Sequence, residues 1–333
     1  MNRTTIAAAD IGAGSGRVIR GRLSGGRLEL REVHRFKNGF SRINGADRWD
    51  IDSLFSEVLS GFRKTASEEP PASIGVDTWG VDYTLLDDRD RLIEKPVAYR
   101  DERTKGMIDL FCERLSPEEI YRRTGIQFME LNTLYQLFAC PRNTPEVLEK
   151  ARTFLMIPDY LHWRICGAKT NEFTEASTSQ MINLETGDWD EEILRALDID
   201  RSLFSTPVSP GSELGRSTSG LLPADVPVIA PATHDTGSAV AAVRASGTDW
   251  AYICSGTWCL MGIESKAPVT GEKAVQYNFT NEGGVDGTTR VLKNIMGLWI
   301  FEQIKDELEP ETTYEALLKK VEKTAPFPAL INA

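Results

Sequence analysis

Two aspartates that stand beside turns of small residues are the positions in this chain best suited to chemistry. The first, Asp10, ends an apolar run that starts at Ile6, and a glycine-rich turn over 12–16 follows it. Backbone N–H groups in such a turn point in one direction and can bind phosphate oxygens, while the carboxylate suits a hydrated Mg²⁺ ion. A tight hairpin whose glycines only serve the backbone conformation explains the same residues equally well.

The residues after this turn exclude two common glycine-rich phosphate loops. Residues 17–23 alternate in polarity, and so does the segment 27–36, so both are predicted as strands. The dinucleotide-binding fingerprint needs a glycine where Arg17 stands and a helix after it. The Walker loop needs a Gly-Lys-Ser or Gly-Lys-Thr tripeptide, and the sequence contains neither. The first turn therefore joins two strands of a meander.

The second aspartate, Asp235, lies between a predicted strand over 226–232 and a predicted helix over 238–243. Ionised at neutral pH, it could accept a proton from a substrate hydroxyl, which is the role of an aspartate in protein kinases. It could also be only the N-cap of the helix, for which Asp is a preferred residue.

A second turn of small residues favours the first of these roles. Residues 250–262 repeat the strand–turn–strand layout of the N-terminus around Ser255, Gly256 and Thr257. This repetition predicts a second phosphate turn and an internal duplication. With two such turns in the chain, we interpret Asp235 as the proton acceptor of a phosphoryl transfer.

Other residues near these aspartates are suited to binding a sugar. His234 could hydrogen-bond a sugar hydroxyl or could be structural, and the sequence leaves both possibilities open. Asp77 and Asp82 stand at strand ends on either side of Trp79. Carboxylates can accept hydrogen bonds from neighbouring hydroxyls, and a tryptophan face can stack on a sugar ring. The structural alternative makes Trp79 part of the core and leaves Asp82 exposed.

The rest of the pattern predicts the elements that hold these residues. An apolar stripe predicts a helix within 48–62, with Asp50 or Asp52 at its start. Three strands, a helix and a further strand form an order that fits a mixed sheet better than a parallel one. The other predictions are strands over 73–77 and 81–87, mostly helical structure over 102–167 with breaks at Pro141 and Pro145, a loop over 174–179, a surface stretch over 207–223, and core positions for Trp258 and Trp299.

Composition narrows the class of protein. A length of 333 residues suggests two domains or more, and the net charge of −11 argues against nucleic acid or an anionic membrane surface as partner. Five cysteines without a C-x-x-C pair are typical of reduced cytosolic thiols, and three scattered histidines make a structural zinc site improbable. We expect a soluble cytoplasmic protein, because the sequence has no visible signal peptide and no bilayer-spanning stretch.

Taken together, these residues and several shorter motifs resemble the FGGY family of carbohydrate kinases. The motifs, which are spread over nearly the whole chain, are Gly12–Arg17, Asn38–Phe40, Gly75–Asp82, Pro96–Asp101, Thr124–Phe128, Asn132–Leu137, Pro158–Tyr160, Ser255–Trp258, Asn281–Gly284 and Arg290–Trp299. The resemblance implies an α/β protein with the actin-like ATPase (ribonuclease H-like) fold, in which two domains have mixed sheets flanked by helices. The first domain, 1–245, would carry the first phosphate turn, the sugar site and the base, and 246–333 would be the first part of the second.

The resemblance also implies roles for individual residues. ATP would be the co-substrate and Mg²⁺ the cofactor, with Asp10 holding the magnesium–nucleotide and Asp235 acting as the proton acceptor. The expected contacts to the ATP phosphates are Ala13, Gly14, Ser15, Gly16, Arg17 and Thr257. The expected contacts to a ketose are Gly80, His234, Asp235, Thr236 and Asn294. Glu302 stands where the family usually has glutamine, so this sequence departs from the pattern at a position that contacts the nucleotide.

Three functions follow as expectations. The first is ATP-dependent phosphorylation of O1 of L-rhamnulose, and the second is the same reaction on another ketose such as L-fuculose or L-xylulose. The third is a non-catalytic module that binds sugar or nucleotide on an actin-like scaffold. Family members continue beyond Ala333, so the resemblance implies an incomplete second domain. A chain cut there would bind ketose at best, show little kinase activity and tend to self-associate. A homo-oligomer is possible.

Overall fold

A computed structural model describes residues 3–223, 225–247, 249–326 and 328 of the chain. Its strands are β1 (Thr4–Ile11), β2 (Ser15–Ser24), β3 (Arg27–Lys37), β4 (Phe40–Ile43), β5 (Ala46–Trp49), β6 (Ser73–Thr78), β7 (Tyr83–Leu86), β8 (Thr153–Met156), β9 (Glu213–Arg216), β10 (Pro227–Ile229), β11 (Tyr252–Ser255), β12 (Trp258–Ser265), β13 (Thr280–Gly283) and β14 (Thr289–Met296). Its α-helices are α1 (Ile51–Glu68), α2 (Met107–Cys112), α3 (Pro117–Thr124), α4 (Thr133–Asn143), α5 (Pro145–Lys150), α6 (Ile157–Cys166), α7 (Phe173–Ser177), α8 (Glu191–Leu197), α9 (Asp235–Ala241), α10 (Glu272–Gln276), α11 (Leu298–Leu308) and α12 (Tyr314–Val321). The outer limits of the predicted domains, residues 1 and 333, lie outside the described residues, and the boundary at 245/246 stays a prediction.

The first phosphate turn belongs to a six-stranded sheet with the strand order β3-β2-β1-β6-β10-β9. Strands β1, β6 and β10 are parallel neighbours, whereas β2, β3 and β9 pair in the antiparallel sense. The sheet is mixed, as the element order predicted. Because β1, β6 and β10 run in one direction, their carboxyl ends meet at one edge, where open α/β sheets bind their ligands.

Helices α1 and α6 supply the apolar side chains that cover this sheet. Asp50 is the N-cap of α1, and its Oδ1 accepts a hydrogen bond from the Ser53 N–H at 3.5 Å. Behind this cap, Val58 and Phe62 are fully buried with Leu161 of α6 in one apolar cluster. Each such side chain contributes about 1.5–3 kcal/mol by leaving water, so the helical stripe predicted from the sequence holds the sheet edge in place.

A second, smaller sheet with the order β11-β12-β14-β13 carries the second turn and is antiparallel throughout its described strands. Strands β11 and β12 form the predicted hairpin around residues 256–257. Val240 of α9 packs with Leu260 and Leu292 of this sheet in a separate apolar cluster. The helix that begins at Asp235 is therefore fixed against the second sheet as well as the first.

Residues 102–167 are mostly helical, as predicted, and contain α2 to α6. Pro145 begins α5, but Pro141 lies inside α4 without interrupting it. Pro141 is tolerated because it lies near the end of that helix, where the missing N–H removes one hydrogen bond. Strand β8 also interrupts this region, since its short apolar run pairs with β7.

The segment predicted as a loop over 174–179 is mostly helical and buried. Helix α7 occupies Phe173–Ser177, and the Glu172 carboxylate caps it by accepting the N–H groups of Thr174 at 3.0 Å and Glu175 at 3.2 Å. The hydroxyl of Ser177 donates to the Thr174 carbonyl at 2.8 Å. Side-chain hydroxyls that satisfy their own backbone explain how so polar a segment is buried.

The stretch 207–223 lies mostly at the surface, as predicted, although it contains the edge strand β9 and the buried residue Leu222. Two smaller predictions were wrong. The helix after Asp235 starts at that residue and not at 238, with His234 as the N-cap residue. Trp258 and Trp299 are only half-buried, although Trp258 packs against the small apolar cluster of the second sheet.

Two findings bear on the expected class of protein. All five cysteines are unpaired. Within the described residues, no helix combines the length and the apolar character needed to cross a membrane.

Candidate active site

The first turn joins β1 to β2 and is braced by a neighbouring loop. The Gly12 N–H donates to the Ser15 carbonyl at 2.9 Å, which closes the turn. Asn38 braces it from outside, because its side-chain amide donates to the Gly12 carbonyl at 2.9 Å and its N–H donates to the Gly14 carbonyl at 3.1 Å. The sequence motif that contains Asn38 thus has a structural role in holding the turn.

The second turn is held in the same way by the start of α11. The Gly256 N–H donates to the Trp258 carbonyl at 2.8 Å. The Gly256 carbonyl accepts from the Leu298 N–H at 2.9 Å, and the Thr257 carbonyl accepts from the Gly297 N–H at 3.2 Å. Both turns therefore have fixed backbones before any ligand binds.

One cavity of about 880 Å³ lies between the two turns and collects nearly all of the predicted site residues. The predicted residues that line it are Asp10, Ala13, Gly14, Ser15, Arg17, Gly80, His234, Asp235, Thr236, Thr257, Asn294 and Glu302. Gly16 is the exception: it is buried on the other side of β2, where a Cβ would lie 2.3 Å from Cζ of Phe36. The backbone thus directs Gly14 and Gly16 to different surroundings, and Gly16 is not a wall of the cavity.

Three carboxylates converge on the carboxyl edge of the first sheet. Asp10 and Asp77 are register partners on β1 and β6, and Asp235 follows β10. Burial, together with the negative charges of Asp10 and Asp235, raises the pKa of Asp77 well above its usual range. Arg17 lies across this group, with its Nη2 2.7 Å from Oδ2 of Asp10. The edge is thus a place where a further positive charge is favourable.

Asp235 has the environment of a base. Its Oδ1 accepts hydrogen bonds from the N–H of Thr236 at 2.6 Å and from the Thr236 hydroxyl at 3.2 Å. Burial raises the pKa of Asp235 above its ordinary value, although His234 and Thr236 act in the opposite direction. A third of the side chain stays exposed to the cavity. A carboxylate with one oxygen held and a raised pKa is suited to taking a proton from a bound hydroxyl.

Two residues of the C-terminal part reach this site from β14. Asn294 lies on the cavity wall, where Gln127 fixes its amide: Oε1 of Gln127 accepts the Asn294 N–H at 3.0 Å and its side-chain amide at 3.3 Å. Arg290 is fully buried behind His234, and its Nη2 donates to Nδ1 of His234 at 3.0 Å. His234 therefore lines the cavity and is held there by a hydrogen bond from Arg290.

The segment between β6 and β7 forms the opposite wall and carries backbone strain. Val81 has φ of +71°, a costly conformation for a β-branched residue, and three hydrogen bonds hold it there. Its N–H donates to Oγ1 of Thr178 at 3.1 Å, and its carbonyl accepts from the hydroxyl of Thr133 at 2.7 Å and the amide of Gln136 at 3.2 Å. The strain shapes the wall at Gly80.

Asp82 is neither exposed nor a sugar ligand, so both sequence interpretations of it were wrong. The residue is fully buried, and its Oδ2 accepts the indole N–H groups of Trp49 at 2.6 Å and Trp79 at 2.9 Å. Burial raises the pKa of Asp82 to about 6 against these hydrogen bonds. Asp82 therefore holds Trp79, which belongs to the buried core as the structural alternative predicted and also borders the cavity.

Sequence reasoning missed four residues of the site. Gln127, Glu282 and Arg290 occur within motifs quoted above, but they were given no role. Val81 gives no signal in its residue type, since only the backbone angle reveals it. Glu282 could have been suspected, because an acidic residue between Asn281 and two glycines is an unusual strand position.

Comparison with known proteins identifies the family to which this chain is similar. The model of the FGGY family of carbohydrate kinases, N-terminal domain, matches residues 5–242, and the C-terminal domain model of the same family matches 251–331. A rhamnulokinase of Bacillus subtilis (strain 168) is 42% identical over 330 residues, covering 98% of this chain and 67% of the relative. A rhamnulokinase of Oceanobacillus iheyensis is 46% identical over 308 residues, covering 91% of this chain and 65% of the relative.

Solved structures agree on the fold. A ligand-bound xylulose kinase from Lactobacillus acidophilus superposes with a TM-score of 0.81 at 19% identity, covering 97% of this chain and 66% of that one. Plasmodium falciparum glycerol kinase with ADP gives 0.79 at 15% identity, covering 96% and 67%. These likenesses confirm the predicted α/β, actin-like ATPase fold. The chain spans about two thirds of the length of the relatives it matches.

Proposed function

The chain belongs to the FGGY family of carbohydrate kinases, and from this membership we propose that it takes part in the ATP-dependent phosphorylation of L-rhamnulose at O1. The observation that carries the proposal is the position of Asp235 in one cavity with both small-residue turns. The 42–46% identity to rhamnulokinases over most of the chain supports L-rhamnulose as the sugar. The likeness to xylulose and glycerol kinases, at 15–19% identity, supports the fold only.

In this proposal, Asp235 accepts the proton of the ketose O1 hydroxyl. The bond from O1 to the γ-phosphorus of ATP then forms while the bond from that phosphorus to the β-phosphate oxygen breaks, leaving ADP and the 1-phosphate ester. Because Oδ1 of Asp235 is held by Thr236, we assign the proton to Oδ2. Little covalent work falls to the protein, so alignment of the two substrates is its main contribution.

The two turns are assigned to the phosphates. The backbone N–H groups around Gly14 and Ser15, with Thr257 from the second turn, would hold the oxygens of ATP, while Arg17 would turn from Asp10 to a phosphate. Glu302 lines the same cavity, and the family resemblance assigns it to the nucleotide. A carboxylate there repels phosphate, so we assign it to the nucleoside.

Mg²⁺ fits the carboxyl edge of the first sheet. Asp10 and Asp77 are hard oxygen donors side by side, and a cation would offset their negative charge. Burial first, and then the charges of Asp10 and Asp235, raise the pKa of Asp77. Within the described residues, no three His, Cys, Asp or Glu side chains are grouped so as to hold a metal. Asp10 would thus hold the ion together with ATP and water, and the ion would neutralise charge on the phosphates.

The ketose would occupy the part of the cavity nearest Asp235. Gly80, His234, Thr236 and Asn294 line it with one backbone position and three hydrogen-bonding side chains. A Cβ on Gly80 would lie 3.1 Å from the Thr178 side chain, so this wall is already close-packed. Discrimination against L-fuculose or L-xylulose would depend on how a hydroxyl or methyl group meets these residues.

The test is an ADP-release assay on the chain with ATP, Mg²⁺ and each of the three ketoses, beside calorimetric binding of each ketose alone. We expect the highest kcat/KM with L-rhamnulose, and loss of turnover in Asp235→Asn but not in Asp88→Asn, an exposed aspartate outside the cavity. Ketose binding without transfer would fit both the non-catalytic module and the low activity expected of an incomplete second domain, and the same assay on a chain extended to the length of the relatives would distinguish them. Equal or better use of another ketose would overturn the assignment of the sugar.

A further inference from the structure

Behind the proposed ketose site lies a buried ion pair that nothing in the phosphoryl transfer uses. Glu282 on β13 and Arg290 on β14 are direct cross-strand partners, with Nη2 of Arg290 3.2 Å from Oε2 of Glu282. Arg290 is completely buried, and the side chain of Glu282 is 5% exposed. Charges of this kind are costly to bury, so a pair kept at the wall of a site calls for an explanation beyond stability.

The contact of Arg290 with His234 explains why the pair is kept. The N–H of Arg290 Nη2 donates a hydrogen bond to Nδ1 of His234 at 3.0 Å. A guanidinium can only donate hydrogen bonds, so Nδ1 must carry a lone pair. In the neutral ring the proton is then on Nε2, which lies 3.5 Å from Oδ1 of Asp235.

Glu282 makes this arrangement possible because it compensates the buried charge of Arg290, and it also borders the cavity. Its carboxylate is also 3.4 Å from Nδ1 of His234. Although burial acts to raise it, Arg290 and His234 hold the pKa of Glu282 below its ordinary value, so the acid keeps its charge.

We propose that Arg290 and Glu282 are positioning residues that fix His234 in the Nε2–H form, so that it presents a hydrogen-bond donor to Asp235 and to the ketose. The identity of the sugar in this proposal rests on the proposed function, whereas the position of the proton on the His234 ring does not. The donor would orient the Asp235 carboxylate and bind a ketose oxygen. The pair lies in the part that matches the C-terminal family domain, and His234 in the part that matches the N-terminal one.

The ring can be observed directly, because the chain has only three histidines. In the full chain labelled with ¹⁵N-histidine, at about pH 8, long-range ¹H–¹⁵N spectra separate protonated from unprotonated ring nitrogens. His162 is a control within the molecule: its Nε2 accepts the Val76 N–H at 3.0 Å, so it must have the opposite form, Nδ1–H. Spectra of His34→Gln and His162→Gln assign the signals.

We expect His234 to have a protonated Nε2 and an unprotonated Nδ1 in the unchanged chain. In Arg290→Met the donor is gone and the Glu282 carboxylate remains 3.4 Å from Nδ1, so the proton should move to Nδ1. A protonated Nδ1 in the unchanged chain, or an unchanged Nε2–H ring in Arg290→Met, would overturn the proposal.

Should Arg290→Met fail to fold, the double variant Glu282→Leu/Arg290→Met replaces the pair by apolar side chains, which buried ion pairs often tolerate. There we expect both ring forms together, and a pure Nε2–H ring would contradict the proposal. In either variant, kcat/KM for the ketose should fall roughly 10–100-fold while calorimetric ATP binding is unchanged. The spectra need neither substrate, so failure of the kinase proposal would leave this result standing.

Discussion

The two glycines of the first turn give a sharp test of whether that turn binds phosphate. Gly14 and Gly16 are two residues apart, yet the structure gives them different surroundings. A Cβ built on Gly14 meets nothing within 4 Å, and the residue is exposed on the cavity wall. A Cβ built on Gly16 lies 2.3 Å from Cζ and 2.4 Å from Cε2 of Phe36, which is buried. Gly14→Val should therefore alter the cavity, and Gly16→Val should alter the fold.

The expected magnitudes follow from these contacts. Gly16→Val overpacks a core position, which typically costs about 1–3 kcal/mol and should lower Tm by about 2–10 °C. Gly14→Val should change the free energy of unfolding by less than about 0.5 kcal/mol, because the residue is exposed and a Cβ there has no neighbour within 4 Å. It should block the approach of a phosphate to the backbone N–H groups. Loss of about 1.5–3 kcal/mol of charge-assisted hydrogen bonding corresponds to roughly 10–100-fold weaker ATP binding.

Differential scanning calorimetry and separate titrations of ATP and L-rhamnulose measure the two effects. Gly14→Val should keep its Tm and its sugar affinity while losing ATP affinity. Unchanged ATP binding by a folded Gly14→Val chain would remove the turn from the nucleotide site. A Tm for Gly14→Val as low as that of Gly16→Val would show that the turn is packed differently from the structure described above.

Three further predictions address other parts of the molecule. Asp235→Asn should lower kcat by roughly 10²–10⁴-fold in steady-state assays with ketose binding kept, since the amide can still accept the Thr236 N–H; near-full turnover would return Asp235 to a structural role. Burial lowers the pKa of His162 to about 3, so the stability it contributes is full above its unfolded pKa near 6.5 and is lost as the pH falls towards 3. Between pH 7 and pH 5, the free energy of unfolding measured with urea should therefore fall by about 2 kcal/mol less in His162→Gln than in the unchanged chain. Equal decreases in the two chains would refute this. Gln127→Met frees the Asn294 amide and should raise the ketose KM roughly 2–10-fold with a smaller change in kcat, whereas a pure kcat effect would contradict a positioning role.

The strands and turns that carry the chemistry could be predicted because their signals are local. Alternating polarity on either side of a glycine-rich turn marks β1, β2 and β3 without reference to the rest of the chain. The same alternation predicts that Gly16 faces away from the cavity. In β2 it shares a face with the buried Val18, whereas Ser15 and Arg17 lie on the opposite face. Treating the turn as one phosphate-binding unit overlooked this period of two.

Elements that depend on distant partners could not be predicted in the same way. The segment 174–179 is polar enough for a loop, and it is buried because Glu172 also accepts the Thr233 N–H at 3.0 Å and the Thr233 hydroxyl at 2.8 Å. Asp82 is buried because Trp49, 33 residues earlier in the chain, donates to it. A carboxylate looks exposed in a sequence whenever the groups that solvate it come from elsewhere in the chain.

The assignment of His234 shows what long-range structure adds to the function. From the sequence alone its role was open, since a single histidine beside an aspartate has no fixed protonation state. Arg290 decides the matter from 56 residues away, and it can do so only because β13 places Glu282 opposite it. The parts that match the two family domains therefore meet at His234 as well as at contacts such as that of Gln127 with Asn294. If the His234 ring contacts the sugar, a change in Arg290 or Glu282 should disturb both sugar binding and one of the contacts between these parts.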